Sequence, residues 1–131
     1  MTWHGADESR DAFNPFVRGL LDAAVAGADE KLSVQTVVLD LRGLVDSFDA
    51  LVLATGRNDR QVRAIAEQIE YQVAEQLGIR PLRSEGWTSA EWVALDYGDV
   101  IVHIFDEPSR DYYDLEHLRN DAPSMRTTPT R

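Results

Sequence analysis

Three histidines and two closely spaced aspartates are the residues of this sequence whose side chains most readily take part in chemistry. His4, His103 and His117 lie too far apart in the chain to form a local metal-binding motif. Asp96 and Asp99 lie three residues apart, a spacing that suits an acid–base pair or two Mg²⁺ ligands. Because a glycine stands between them, a solvated turn between two strands is the more ordinary explanation. The absence of cysteine excludes thiolate metal sites and thiol catalysis.

The segment Thr55–Asn58, which precedes a predicted helix, is a candidate phosphate site. Backbone amides at the start of a helix bind anions, but this segment has neither the Gly-Lys-Ser/Thr ending of a P-loop nor a GxGxxG pattern. Arg57, Arg60 and Arg63 line the start of the same helix. They form either a solvated face or a site for an anion or an acidic partner. The sequence predicts no catalytic residue, no metal ligand and no cofactor.

Negative charge is the most distinctive property of the composition. The 131 residues include 13 basic and 23 acidic side chains, which gives a formal net charge of −10. Between residues 85 and 121 only Arg110 and Arg119 are basic. The acidic residues of that segment are Glu85, Glu91, Asp96, Asp99, Asp106, Glu107, Asp111, Asp114, Glu116 and Asp121. Such a chain is repelled by nucleic-acid phosphates, so we expect little direct nucleic-acid binding and a basic protein as partner, with ordinary solubility as the competing explanation.

Apolar spacing predicts the elements that position these side chains. Helices are expected from about Asn14 to Ala28, from Asn58 to Gly78 and from about Ser109, as a cap, to Arg119. Strands are expected at residues 36–41, 49–54, 91–96 and 100–105, with a short extended piece at 81–83. The predicted fold class is therefore α/β, a single domain in which a mixed sheet is covered by helices.

The strands 91–96 and 100–105 are joined by only three residues, which predicts a tight antiparallel hairpin. Because side chains alternate along a strand, Trp92, Ala94 and Asp96 share one face. The residues between them form a more apolar face, which should be core. An aromatic residue beside polar groups is typical of the centre of a protein interface, and packing of the indole under a helix is the alternative.

Both ends of the chain lack apolar periodicity. Residues 1–10 are predicted to be a loose N-terminal segment, residues 11–120 the folded domain and residues 121–131 a flexible C-terminal tail. No apolar run approaches the roughly 20 residues of a membrane span, and the first residues lack the regions of a signal peptide. We therefore expect a cytoplasmic location and no membrane partner.

Several segments carry a specific pattern along nearly the whole of the predicted domain. They are DALVLATGR at 49–57, RQVRAIA at 60–66, Glu85–Gly86, SAEW at 89–92, DYGDVIVHIF at 96–105 and RDYYDLEHL at 110–118. Together they resemble the ribosome silencing factor family, also called Iojap-like, over roughly residues 20–122. The family often has tryptophan after the final leucine, where this chain has Arg119.

The resemblance implies a fold related to nucleotidyltransferases and a protein without catalysis. Members of the family bind the large ribosomal subunit through its fourteenth protein, at the face where the small subunit docks, and thereby block subunit joining and lower translation. The family's tryptophan and carboxylates carry over to Trp92, Asp96 and Asp99. Trp92 would then be the anchor, the two aspartates would pair with Lys or Arg of that basic protein, and Glu85 or Glu91 would lie on the rim.

Two other functions stay open at this point. One is a Mg²⁺-dependent nucleotidyltransferase that uses Asp96 and Asp99 beside the Gly56 loop, although the sequence has no Gly-Ser turn followed by a pair of aspartates. The other is a homodimerisation module, in which an edge strand of the sheet pairs with its copy. A homodimer would not exclude ribosome binding.

Overall fold

A computed structural model describes residues 13–109 and 124–127 of the chain. Two long helices lie in these ranges, α1 (Pro15–Glu30) and α2 (Asp59–Leu77). The strands are β1 (Thr36–Asp40), β2 (Ala50–Gly56), β3 (Arg83–Glu85), β4 (Trp92–Asp96), β5 (Val100–Asp106) and β6 (Ser124–Thr127). The predicted α/β fold, with a mixed sheet covered by helices, is confirmed.

Both helices begin at the asparagine caps that the sequence predicts. Oδ1 of Asn14 accepts a hydrogen bond of 2.9 Å from the backbone N–H of Val17. Oδ1 of Asn58 accepts one of 2.8 Å from the N–H of Gln61. Helix α2 ends at Gly78, whose φ of 72° lies in the left-handed region that glycine adopts without strain. These ends are set by local chemistry, which is why the sequence predicts them well.

The six strands form one sheet in the order β3-β4-β5-β2-β1-β6. Strands β2 and β5 run parallel, and every other neighbouring pair is antiparallel. All seven residues of β2 are buried, as expected of a strand with neighbours on both sides and apolar residues on both faces. Helix α2 connects β2 to the edge strand β3. The next two strands, β4 and β5, form the predicted antiparallel hairpin, which fills the space in the sheet between β3 and β2.

Two apolar clusters cover the two faces of this sheet. The larger cluster joins α1 and α2 to one face, and it includes Val93, Leu95 and Tyr97, as the alternation along β4 predicts. The smaller cluster lies on the other face, where Trp92 packs against it. We call the first surface the helix face. The second, the indole face, is carried in the β4–β5 hairpin by Trp92, Ala94, Asp96, Ile101, His103 and Phe105.

The structure corrects three details of the predicted elements. Phe16, which the apolar spacing groups with Phe13 and Val17 in the buried stripe of α1, is 44% exposed, whereas the other two are buried. The extended piece at 81–83 is displaced, and β3 contains Glu85, which the sequence placed in a loop. Asp106 replaces Ser109 as the cap of the helical turn that begins at residue 107, because its Oδ1 accepts a 2.9 Å bond from the N–H of Ser109.

The C-terminal strand β6 has no counterpart among the predicted elements. Ser124–Thr127 pairs antiparallel with β1, within the segment predicted as a flexible tail. The remaining tail residues, the loose segment 1–10 and the predicted helix beyond residue 109 lie outside the described residues. Among the helices that the structure describes, none has the length and apolar character needed to cross a bilayer.

Candidate functional site

Trp92 lies half buried at the start of β4, on the indole face. Its indole Nε1–H donates a hydrogen bond of 2.7 Å to Nδ1 of His103. The two ring centroids are 5.4 Å apart, and the ring planes meet at 62°. Phe105, which is paired with Trp92 across the hairpin, places its ring centroid 4.9 Å from the indole. Two residues of β5 therefore hold the indole, and its only hydrogen-bond donor is already used.

His103 is a neutral acceptor in this pair. Burial lowers the pKa of His103 from 6.5 to about 4. Because Nδ1 accepts the indole N–H, the neutral ring carries its proton on Nε2. His103 is therefore a hydrogen-bonded histidine on one face of the sheet. His4 and His117 lie outside the described residues.

A shallow groove of about 200 Å³ adjoins the Trp92–His103 pair on the indole face. It is lined by Arg83, Ser84, Glu85, Ala94, Asp96, Ile101 and His103. The edge strand β3 contributes most of the polar groups, and two of its residues stand opposite Ala94 and Asp96 in the β3–β4 register. Carboxylates beside apolar surface suit a Lys or Arg side chain, whose stem is apolar and whose end is charged.

Asp96 serves the hairpin and the groove at the same time. Its Oδ1 accepts a 2.8 Å hydrogen bond from the N–H of Gly98, which shapes the turn. Its Oδ2 lies 3.4 Å from Nη2 of Arg83, whose side chain is 84% exposed. Such an exposed ion pair contributes little to stability, so a cation from a partner can replace it.

The four carboxylates that the sequence predicts for partner binding do not form one cluster. Glu85 and Asp96 both line the groove. Glu91 is exposed immediately before β4, whereas Asp99 is exposed at the hairpin tip beyond the other end of that strand. Five residues along a strand span roughly 17 Å. The predicted set is therefore a central pair with one carboxylate beyond each end of β4.

Arg63, a member of the predicted arginine cluster, has a role that sequence reasoning missed. Its Nε donates a 2.9 Å hydrogen bond to the carbonyl of Trp87, and its Nη2 donates one of 2.5 Å to the carbonyl of Thr88. The guanidinium thus fastens the loop before β4 to helix α2. Arg57 and Arg60 are exposed instead. Backbone carbonyls have no sequence signature, so no pattern points to this contact.

The same loop depends on Gly86, which has a φ of 89°. A Cβ atom built on Gly86 would lie 2.0 Å from the carbonyl oxygen of Trp92, a distance that no side chain tolerates. The glycine therefore allows the loop to pass directly against the first residue of β4. Together with Arg63, it fixes the backbone that presents the indole.

The site of the alternative nucleotidyltransferase is not assembled. The carbonyl of Asp99 accepts a 2.7 Å bond from the N–H of Asp49, so the hairpin tip lies beside the start of β2. Gly56 lies at the other end of β2, six residues or roughly 20 Å from Ala50. In the described ranges there is also no group of three or more His, Asp or Glu side chains that could hold a metal ion. The two aspartates therefore do not sit beside the Gly56 loop.

Comparison with known proteins places these features in a family. The model described as "Ribosomal silencing factor during starvation" matches residues 16–131. The chain belongs to this family. The Ribosomal silencing factor RsfS of Halalkalibacterium halodurans is 41% identical over 106 residues, which cover 81% of this chain and 90% of that protein.

More distant relatives and solved structures agree with this assignment. The Arabidopsis thaliana protein named "Protein Iojap-related, mitochondrial" is 38% identical over 73 residues, 53% of this chain and 40% of that protein. A crystal structure of a Chromobacterium violaceum protein has a TM-score of 0.74 at 33% identity and covers 86% of this chain and 93% of its own. The resemblance to the Iojap-like family is confirmed, whereas kinship with nucleotidyltransferases stays a prediction.

Proposed function

We propose that this protein silences ribosomes by binding the large subunit through its basic fourteenth protein and blocking the joining of the small subunit. Relatives named ribosomal silencing factors support the silencing role. The partner follows from the family resemblance and from the charge of the chain. The observation that carries the proposed docking surface is the indole face, where Trp92 and His103 adjoin a groove with two carboxylates.

Trp92 is the anchor of the proposed contact. It is half buried and held by two rings of β5, so little conformational freedom is lost when a partner covers it. Because its N–H is bound to His103, the indole offers the partner its apolar and π surface rather than a hydrogen-bond donor. Apolar side chains and cations both pack well against such a ring.

The carboxylates supply attraction and orientation. Glu85 and Asp96 receive a Lys or Arg of the partner in the groove, while Asp99 and Glu91 extend the negative surface towards the two ends of β4. Residues 85–109 contain no Lys or Arg at all. A single sign of charge along this segment raises the association rate with a basic protein, most strongly at low salt.

Blocking a ribosomal surface requires occupancy and no catalysis. Helices α1 and α2 pack on the helix face, behind the sheet. Docking through the indole face therefore directs both helices away from the partner, into the space that a joining subunit needs. The proposal includes a cytoplasmic location, no cofactor and little direct contact with nucleic acid.

Purified large subunits provide the direct test of the docking surface. We expect Trp92→Ala to weaken binding about 30-fold, because truncating an aromatic anchor costs about 2 kcal/mol. Asp96→Ala should weaken it less and should flatten the salt dependence. Tyr71→Ala is the matched control, since Tyr71 lies on α2 and is 57% exposed. If Trp92→Ala and Asp96→Ala bind as well as the parent protein, the surface assignment is wrong.

The blocking step has a separate test in cell extracts. On a sucrose gradient the protein should sediment with free large subunits and should be absent from joined ribosomes. Adding it to purified subunits should also reduce the fraction that joins. Sedimentation with joined ribosomes would contradict steric blocking while leaving large-subunit binding intact.

A homodimer is a further assembly that the proposal admits. Light scattering of the purified protein would detect it directly. If dimers form, titration with large subunits distinguishes a dimer that binds from one that must first dissociate, because only the second makes binding weaker at higher protein concentration.

A further inference from the structure

His103 contacts the proposed anchor directly on the indole face. Nδ1 of His103 lies 2.7 Å from the indole Nε1 of Trp92, and the two rings meet edge to face. Phe105 packs against the same indole. Trp92 thus has an apolar contact and a directional one, and the directional contact is made by the indole nitrogen itself.

We propose that His103 is a positioning residue, which holds the indole of Trp92 in the orientation that docks on the ribosomal partner. The inference rests on the proposed function of Trp92, but the contact itself can be tested in the free protein. His103 needs no contact with the partner to act in this way. Its effect passes through the hydrogen bond to the indole.

The geometry of the hairpin explains why a histidine can hold this indole. Trp92 is paired with Phe105, and His103 lies two residues before Phe105 on the same face of β5. A diagonal neighbour at this distance is within reach of long aromatic side chains. Without an acceptor at this place, the indole side chain could rotate, and its N–H would donate to water instead. A ring already fixed in its bound orientation loses less entropy on docking.

The hydrogen bond requires a neutral imidazole, because the protonated ring has no lone pair on Nδ1. The titratable and charged side chains of the groove around His103 are Arg83 and Glu85 from β3 and Asp96 from β4. On the other side, β2 pairs the apolar Leu53 with it. Burial lowers the pKa of His103 to about 4, which keeps the ring neutral near pH 7. The indole is therefore held at neutral pH and released in acid.

Two substitutions separate the hydrogen bond from the shape of the side chain. His103→Asn keeps an oxygen acceptor close to the position of Nδ1, whereas His103→Leu keeps a similar apolar volume and removes the acceptor. The indole N–H signals of the free protein report the contact by ¹H–¹⁵N NMR. Trp92→Phe assigns the signal among the three tryptophans of the chain.

We expect the Trp92 indole N–H of the parent protein to exchange slowly with water. Its signal should titrate with an apparent pKa near 4, set by His103. In His103→Leu the signal should shift upfield, exchange at least about fivefold faster and lose this titration. In His103→Asn it should stay near the parent position and also lose the titration. An unchanged signal in His103→Leu would overturn the inference.

Binding to large subunits then tests whether the positioning matters. We expect His103→Leu to weaken binding about fivefold or more and His103→Asn to restore most of it. In a Trp92→Ala background His103→Leu should have no further effect, because the two residues act as a unit. An equal loss in both backgrounds would overturn the inference while leaving the proposed function standing. Unchanged binding of Trp92→Ala would instead overturn the proposed docking surface, even where the NMR contact is intact.

Discussion

The two faces of the β4–β5 hairpin are built from alternating residues of the same strands but have different physical properties. On the helix face, Val93 and Leu95 are completely buried under α1 and α2. On the indole face, Trp92 and Asp96 are partly exposed. The alternation of the strands therefore buries one side of the hairpin completely and leaves part of the other side exposed, although Phe105 on that side is buried as well.

Their polar groups differ as well. On the indole face, the indole of Trp92 is bonded to His103 and the carboxylate of Asp96 to the backbone of Gly98. On the helix face, the hydroxyl of Tyr97 is buried and has no hydrogen-bond partner among the residues that the structure describes. Burial, and to a smaller extent the charge of Glu70, raises the pKa of Tyr97. On the indole face, the two polar side chains are thus already hydrogen-bonded within the hairpin, whereas the Tyr97 hydroxyl on the helix face is not.

The largest loss of stability is expected from a change in the loop that leads into β4. Gly86→Ala should cost more than about 3 kcal/mol of unfolding free energy, because the new Cβ would collide with the carbonyl of Trp92 at a positive φ. Gly78→Ala is the control, since its φ is also positive but no atom lies within 4 Å. It should cost only about 1 kcal/mol. If urea denaturation gave equal losses of unfolding free energy for Gly86→Ala and Gly78→Ala, the collision would be absent.

Truncation on the helix face should affect stability and leave recognition unchanged. Leu95→Ala removes a fully buried side chain and should cost about 3 kcal/mol. The folded fraction should bind large subunits with the parent affinity. Urea denaturation measures the loss of stability, and a binding titration under stabilising conditions measures the affinity. A loss of affinity in fully folded Leu95→Ala would show that the helix face also contributes to binding.

Acid should lower the free energy of unfolding, because His103 on the indole face is buried in its neutral form. The pKa of His103 is about 4 when folded and 6.5 when unfolded, so the unfolded chain binds the proton first. Above pH 6.5 the imidazole is mostly neutral in both states, and the free energy of unfolding falls by about 3 kcal/mol as the pH falls towards 4. Other groups titrate in this range, so the measurement is the difference between the parent protein and His103→Asn. Parallel pH profiles of the two proteins would contradict the shift.

The smallest expected effect concerns the arginine that fastens the loop. Arg63→Ala removes two hydrogen bonds to backbone carbonyls and should cost about 1 to 2 kcal/mol. Amide exchange should increase in residues 86–91. Arg60→Ala, an exposed neighbour on the same helix, should change neither quantity measurably. If both variants behave alike, the loop is held by other contacts.

Sequence patterns predicted the features that depend on neighbours along the chain. The caps at Asn14 and Asn58, the left-handed Gly78 and the two faces of β4 follow from spacing over a few residues. For the same reason, the sequence placed Trp92 on the less apolar face but could not decide between an interface and packing under a helix.

Features that depend on distant pairing were not predictable in this way. Strand β6 has no apolar alternation of its own and owes its conformation to pairing with β1. The contact of Arg63 with the loop spans more than twenty residues and ends on carbonyls. The bond between Trp92 and His103 requires the register of β4 on β5, which the turn sequence alone does not fix.

Hydroxyl-radical footprinting of the parent protein, free and bound to large subunits, tests whether the indole face is the docking surface. Trp92 on the indole face and Tyr71 on α2 are both aromatic and accessible, so each serves as the reference for the other. We expect large subunits to reduce the oxidation of Trp92 and to leave that of Tyr71 unchanged. Protection of Tyr71 with continued oxidation of Trp92 would contradict it.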